Sequence, residues 1–305
     1  MPQAQGERVV PGLFIRSVTR AVLRAACREQ GLDDAGAVLL RHGENAVYRL
    51  AHDPVVVRIA RHADVPRREV DVASWLAHRD FPAVRLTDSL DQLRVVGGHI
   101  VTWWDLIVES TQPSTFSDLA EVLRRLHDLP PSTALSLPLF DPMPRVLGRL
   151  NVAGDAIAEH DRRFIADRQS EFRSAYESMS FELDPGPVHG DAHLGNLMRR
   201  EDDTVVLIDL EAFAWGPREW DASVFAAAYA AFNWMDRAEY RRCVDAYGWD
   251  PLNWSGFPTL RAIRELNMAT WLLQRAGESP EVDEEIARRL ADLRNDGLPR
   301  RWRQL

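Results

Sequence analysis

The chain predicts an α+β fold, with a small antiparallel sheet and one main helix first and a larger, mostly helical part after it. Three observations lead there. Short apolar runs separated by turn signals are concentrated before Trp104. Helical periodicity dominates beyond it, and in that half only residues 204–209 read as a strand.

Residues 17–30 open on a serine at the cap position, carry Val18, Ala21, Val22 and Ala25 on one face, and meet Gly31 just past their end, the pattern of a short amphipathic helix. Strands are expected over 37–41, 46–51 and 55–60, the last two separated by the turn signal His52-Asp53-Pro54. Residues 66–79 place Pro66 in a first turn and Val70, Ala73, Trp75 and Leu76 at helical spacing. Strands over 83–87 and 93–96 then lead through Gly97-Gly98 to another over 99–104. Beyond it, 117–129 reads as a helix with a serine cap, stopped by Pro130 and Pro131, and 130–144 as a proline-rich loop. One or two helices with charged faces are expected over 155–178, and further helices over 219–231, 237–247, 259–274 and 282–293. The expected boundary divides the chain into 1–103 and 104–305.

Composition narrows the function. The 305 residues are 46% hydrophobic and 27% charged, an ordinary globular balance with enough length for a large core or two lobes. A formal net charge of −9 argues against a general nucleic-acid binder, which needs clustered positive charge, and leans towards a cationic or neutral partner. Cys27 and Cys243 lie far apart with no metal-ligand spacing, so neither a disulfide framework nor a zinc site is expected. Residues 1–10 are polar, and no run reaches the roughly 18 apolar residues of a membrane span. The expected setting is the cytoplasm, with neither membrane nor nucleic acid as partner. All 37 basic residues other than histidine are arginine.

The chemistry is concentrated in one stretch. The loop Val188-His189-Gly190-Asp191-Ala192-His193-Leu194-Gly195-Asn196-Leu197 is followed by Val205-Val206-Leu207-Ile208-Asp209-Leu210-Glu211. Asp191, Asn196 and Asp209 surround a β-hairpin whose apolar residues would hold them rigidly. Phosphoryl transfer needs such a set: a carboxylate to orient and deprotonate the attacking hydroxyl, and oxygen ligands to fix Mg²⁺ on the nucleotide phosphates. A His-Gly-Asp tripeptide alone is more often a turn, and a strand-terminal Asp more often a helix cap. Their conjunction in this order and spacing is what makes the motif specific.

At these residues the sequence resembles the aminoglycoside phosphotransferase family, whose catalytic loop is similar to that of protein kinases. The resemblance implies a bilobal, protein-kinase-like fold, with a nucleotide-binding lobe over 1–103 and a helical lobe over 104–305 that holds the catalytic loop and substrate pocket. It implies Asp191 as catalytic base, His189 as the brace of the loop, Asn196 and Asp209 as Mg²⁺ ligands, and ATP as phosphoryl donor. His193 stands where protein kinases have lysine, and Glu211 turns the kinase Asp-Phe-Gly into Asp-Leu-Glu. In Val55-Val56-Val57-Arg58, Arg58 occupies the place of the phosphate-binding lysine, with Glu69 on the following helix as its partner. A guanidinium binds phosphate bidentately and keeps its charge, but is not interchangeable with a compact ammonium.

Weaker features fit the same resemblance. Gly43 and Asn45, in Arg41-His42-Gly43-Glu44-Asn45, fall where kinases cover the phosphates, although Gly43 is the only glycine of that loop. The backbone near Trp104 and Leu106 falls where adenine would be met, with simple core packing of Trp103 and Trp104 as the alternative. Asp221 opens a helix and ties loop backbone groups, and His127 is a packed histidine. The expected reaction is kinase transfer of the γ-phosphoryl group of ATP to a small-molecule hydroxyl. An aminoglycoside or other cationic antibiotic would bind in an acidic pocket lined by Asp155, Glu159 or Glu265, which would make the protein an antibiotic-resistance enzyme. A neutral metabolite, a peptide hydroxyl, and a pseudokinase scaffold are the alternatives. The C-terminal 298–305 has no assigned role.

Overall fold

The computed structural model describes residues 14–43, 45–61, 65–130, 135–295 and 297–303. Expectations placed on residues 1–10, on Glu44 and on 131–134 fall outside these. Along the chain the elements are α1 (Arg16–Gln30), β1 (Val38–His42), β2 (Asn45–Arg49), β3 (Val55–Ala60), α2 (Val65–Ala77), β4 (Arg94–Val96), β5 (His99–Asp105), α3 (Phe116–His127), α4 (Val146–Ala153) and α5 (Glu159–Glu177). There follow β6 (Gly186–Val188), β7 (Leu197–Arg199), β8 (Val205–Leu207), β9 (Ala214–Gly216), α6 (Arg218–Ala230), α7 (Arg237–Tyr247), α8 (Phe257–Leu273) and α9 (Pro280–Asp292). They fall into two compact units. One comprises the described chain up to Ser114 with 135–137 and Gly195–Phe213, and the other takes the remainder.

The first unit holds a five-stranded antiparallel sheet in the order β1-β2-β3-β5-β4. The alternation of β3 decides which side chains go where. Val55, Val57 and Ile59 are buried while Val56 and Arg58 between them are not, so a charge is placed on the face opposite the apolar one. On the apolar face α1 packs Val22, Leu23, Ala26 and Cys27 against Tyr48, Val57, Ile59, Val101 and Trp103. Each such buried aliphatic side chain contributes about 1.5–3 kcal/mol. The helix closes at Gly31 in the left-handed conformation (φ 71°), where only glycine is unstrained. Its start differs from expectation. Ile15 sits at the cap with no side-chain bond, and Ser17 lies inside the first turn.

Residues 83–87 do not form a strand of the sheet. They make single bridges, Ala83 to Leu207 and Leu86 to Trp104, and the Pro82 carbonyl accepts the Leu207 N–H at 2.9 Å. The hairpin β7–β8 belongs to this unit, with register Leu197↔Leu207 and Arg199↔Val205.

The second unit is mostly helical. Leu119, Leu123 and Leu126 of α3, Phe225 of α6, and Leu260, Ile263 and Leu266 of α8 are fully buried. The start of α3 is a capping box between Thr115 and Asp118, two residues ahead of the expected serine. Two features were not expected from the sequence: helix α4, and the pair β6–β9 with register Gly186↔Gly216. The tail packs back onto this unit. The Arg300 N–H donates to Ala231 O at 2.6 Å, its guanidinium meets Glu265 at 3.0 Å, and Trp302 lies 5.4 Å from the Phe232 ring. Among the described residues no helix is long and apolar enough to cross a membrane.

Candidate active site

In the first unit the site grows from the polar face of β3 and the open end of the β7–β8 hairpin. The hairpin turn is set by Asp203 in the left-handed region (φ 65°) and by Asp202, whose carboxylate accepts the Thr204 N–H at 3.0 Å. The ladder continues one step beyond β7, with the Ile208 N–H donating to Asn196 O at 3.0 Å. Asn196 and Asp209 therefore lie at the same end of one hairpin. Asn196 is buried, and Asp209 adopts φ 59° and ψ 68°, a conformation that aspartate tolerates better than most side chains.

Arg58 faces this end. Its Nη1 donates to Glu69 Oε1 at 2.5 Å and its Nη2 to Glu211 Oε2 at 3.0 Å, and Asp209 Oδ1 lies 3.9 Å away. Arg41 approaches the other oxygen of Asp209 at 3.7 Å, and Arg68 donates to the Glu211 carbonyl at 2.7 Å. Asn45 reaches Glu211 Oε2 at 3.4 Å. Burial pushes the Glu69 carboxyl up to about 7. Arg58 works against that rise, while the negative charges of Glu211 and Asp209 add to it.

In the second unit the loop after β6 is tied from below. Asp221, in the first turn of α6 and fully buried, accepts the His189 N–H at 2.6 Å and the Gly190 N–H at 3.1 Å, and lies 3.2 Å from His127 Nε2. Burial alone would raise its carboxyl. The hydrogen bond and charge of His127, followed by His189, hold it below the ordinary range. Gly190 takes φ 82°, which a side chain would strain, and its carbonyl accepts Trp220 Nε1–H at 2.8 Å. His189 is fully buried and its Nδ1 accepts the Asp191 N–H at 3.3 Å. The Asp191 side chain stands in solvent, with His193 Nε2 at 4.0 Å. Arg264 stacks 4.3 Å over the Trp220 ring and bonds Ser223 Oγ at 2.8 Å and the Trp220 carbonyl; burial brings its guanidinium down to about 10.

The remaining expected residues are placed as follows. Gly43 is exposed and its N–H donates to Asn45 O at 3.0 Å. Trp103 and Trp104 are both buried, Trp104 donating to Thr102 Oγ1 at 2.9 Å, and the Leu106 N–H donates to Pro54 O at 2.8 Å. Asp155 and Glu159 are exposed. Glu265 is buried between Arg261 and Arg300, each at 3.0 Å, so its charge is used inside the helical unit and lines no acidic pocket. Arg41, Arg68 and Arg264 were not singled out in the sequence. An arginine carries no local motif, and each owes its place to residues distant in the chain.

A family model described as the phosphotransferase enzyme family matches residues 37–266. The chain belongs to that family. The match spans every residue of both clusters, so the expected family resemblance and the protein-kinase-like fold both hold. This phosphotransferase is similar in structure to amicoumacin kinase hAmiN, solved with AMP-PNP, Ca²⁺ and Ami, at TM-score 0.71 and 13% identity over 92% of this chain and 96% of that one. It is similar also to a choline/ethanolamine kinase family protein from Mesorhizobium loti, at TM-score 0.60 and 19% identity over 91% and 93%. A third likeness is to APH(2")-IIia with GDP and kanamycin, at TM-score 0.64 and 14% identity over 90% and 99%. At these identities the likeness shows the fold. No curated protein matches the chain.

The phosphotransferase's own side chains fit a hard divalent cation. Glu69, Asp209 and Glu211 each bring a carboxylate oxygen within 4.8 Å of the others, an all-oxygen set of the kind that Mg²⁺ prefers.

Proposed function

We propose that this phosphotransferase moves the γ-phosphoryl group of ATP to a hydroxyl of a small molecule. The observation that carries the reading is the cluster around Arg58, a guanidinium clamped between Glu69 and Glu211 with Asp209 alongside. A fixed guanidinium among carboxylate oxygens can take a phosphate together with the metal ion that accompanies it.

Asp191 would accept the proton of the attacking hydroxyl, whose oxygen forms the new bond to phosphorus as the bond to the β,γ-bridging oxygen breaks and ADP leaves. His189 and Asp221 would hold the loop that carries Asp191. Asn196 and Asp209, with Glu69 and Glu211 near by, would hold the metal, which when bound neutralises phosphate charge. Arg58 would bind the α- and β-phosphates, the loop with Gly43 and Asn45 would lie over them, and the backbone near Trp104 and Leu106 would meet adenine.

For the acceptor, the family, the names of the structural neighbours and the net charge of −9 favour a small amine-bearing alcohol: an aminoglycoside or other cationic antibiotic, or a choline-like amino alcohol. The scaffold reading draws no support from this site. ATP consumption measured across aminoglycosides, amino alcohols, sugars and basic peptides tests the proposal. At least one amine-bearing alcohol should be phosphorylated, and Asp191→Ala should abolish that turnover while leaving ATP affinity within about twofold. Undiminished turnover in the variant would remove Asp191 from the base role.

A further inference from the structure

We infer that Glu211 is a positioning residue for phosphate binding, coupled to Arg58 so that the pair does jointly what a lysine in that place would do without it. The inference rests on the ATP reading above and goes beyond it by giving Glu211 a task and explaining why an arginine is tolerated at position 58.

Glu211 is held as a built-in group. Its side chain is 15% exposed, its carbonyl accepts from Arg68 at 2.7 Å, and its Oε2 accepts from Arg58 Nη2 at 3.0 Å with Asn45 Nδ2 at 3.4 Å. The planar guanidinium meets two acids with two different nitrogens, Nη1 on Glu69 at 2.5 Å and Nη2 on Glu211 at 3.0 Å. Glu69 engages Nη1, and that contact does not by itself set where Nη2 lies. With Glu211 as well, both outer nitrogens are fixed and the plane is defined. An ammonium is a compact point charge with no plane to define, so a lysine at position 58 would need Glu69 but not Glu211. The three acids Glu69, Asp209 and Glu211 also leave the cluster net negative around Arg58, and Arg41 at 3.7 Å from Asp209 offsets part of that excess.

The test is a double-mutant cycle on the full chain with Arg58→Lys and Glu211→Ala, read as ATP affinity by calorimetric titration in Mg²⁺ buffer. Glu211→Ala should weaken ATP about tenfold more with Arg58 in place than beside Arg58→Lys, equivalent to about 1.4 kcal/mol of coupling; any share Glu211 has in holding a metal is lost in both backgrounds and cancels in the cycle. Adenosine affinity should move in neither background, which separates loss of phosphate positioning from general damage to the fold. Glu211→Gln, nearly isosteric, guards against misfolding of the alanine variant and should show a smaller loss of the same pattern. Equal losses in both backgrounds, with wild-type ATP binding intact, overturn the coupling alone. Absence of ATP binding by the wild type overturns the proposed function, and this inference with it.

Discussion

Replacing Asp221 by alanine should be among the most damaging single changes in the helical unit. The carboxylate is fully buried and serves three groups: the His189 N–H at 2.6 Å, the Gly190 N–H at 3.1 Å and His127 Nε2 at 3.2 Å. Alanine leaves all three without that acceptor in a volume from which water is excluded. A buried donor stripped of its partner costs about 1–3 kcal/mol, and Asp221→Ala strips three groups at once. The loss should therefore be about 3–5 kcal/mol, a large part of the roughly 5–15 kcal/mol that holds a domain together. Asp221→Asn keeps one oxygen acceptor and turns an N–H towards donors, so about half that loss is expected. Urea unfolding followed by circular dichroism measures both. The pH dependence gives an independent check. The folded carboxyl lies below its unfolded value, so its contribution is present above the unfolded value of about 3.9 and disappears as pH falls through the folded one. Wild type should lose more stability below about pH 4 than Asp221→Asn does. A loss in Asp221→Ala under about 1 kcal/mol would mean that these three donors find other partners, and the argument for a carboxylate-braced loop would fail.

Two other predictions follow from neighbouring geometry. Asp209→Asn removes a charge from the oxygen set around Arg58, so the strengthening of ATP binding by Mg²⁺ should fall at least tenfold, measured by thermal shift with and without the metal. Arg300→Ala strips Glu265 of a buried partner at 3.0 Å and removes the guanidinium's bonds to the Gly297 and Asn295 carbonyls, each at 2.9 Å, so unfolding free energy should drop by about 3–5 kcal/mol while ATP affinity is unchanged.

Much of the sheet could be read from period-two alternation. The bounds of β3 are as expected, and its alternation is also what turns Arg58 away from the apolar face. What escaped were elements whose signal is not periodic. Strands β6 and β9 have three residues each, too few to alternate, and they include Gly186, Pro187 and Gly216, which argue locally against a strand. Residues 83–87 carry Val84 and Leu86 on either side of Arg85, yet they form isolated bridges and no ladder. Helix α4 was missed because its eight residues follow a proline-rich loop and include Gly148 and Val152, both poor helix formers.

The site divides along the same line, between what neighbours in sequence determine and what only tertiary structure determines. His189, Asp191, Asn196 and Asp209 lie within 21 residues of one another, so their spacing alone carried a chemical meaning. Arg58 and Glu211 are 153 residues apart, and no local pattern pairs them. Tertiary pairing also removes Glu265 from the acidic pocket expected from charge balance. Glu265 counted towards an acidic pocket when only its sign was known, but its neighbours are Arg261 four residues away and Arg300 from the tail, 35 residues on. A net charge of −9 says how many acids exceed bases and nothing about which acids are already paired. Exposure says no more: Glu159 is exposed, yet Arg162 and Arg163 lie 3.8 and 3.5 Å from its carboxylate.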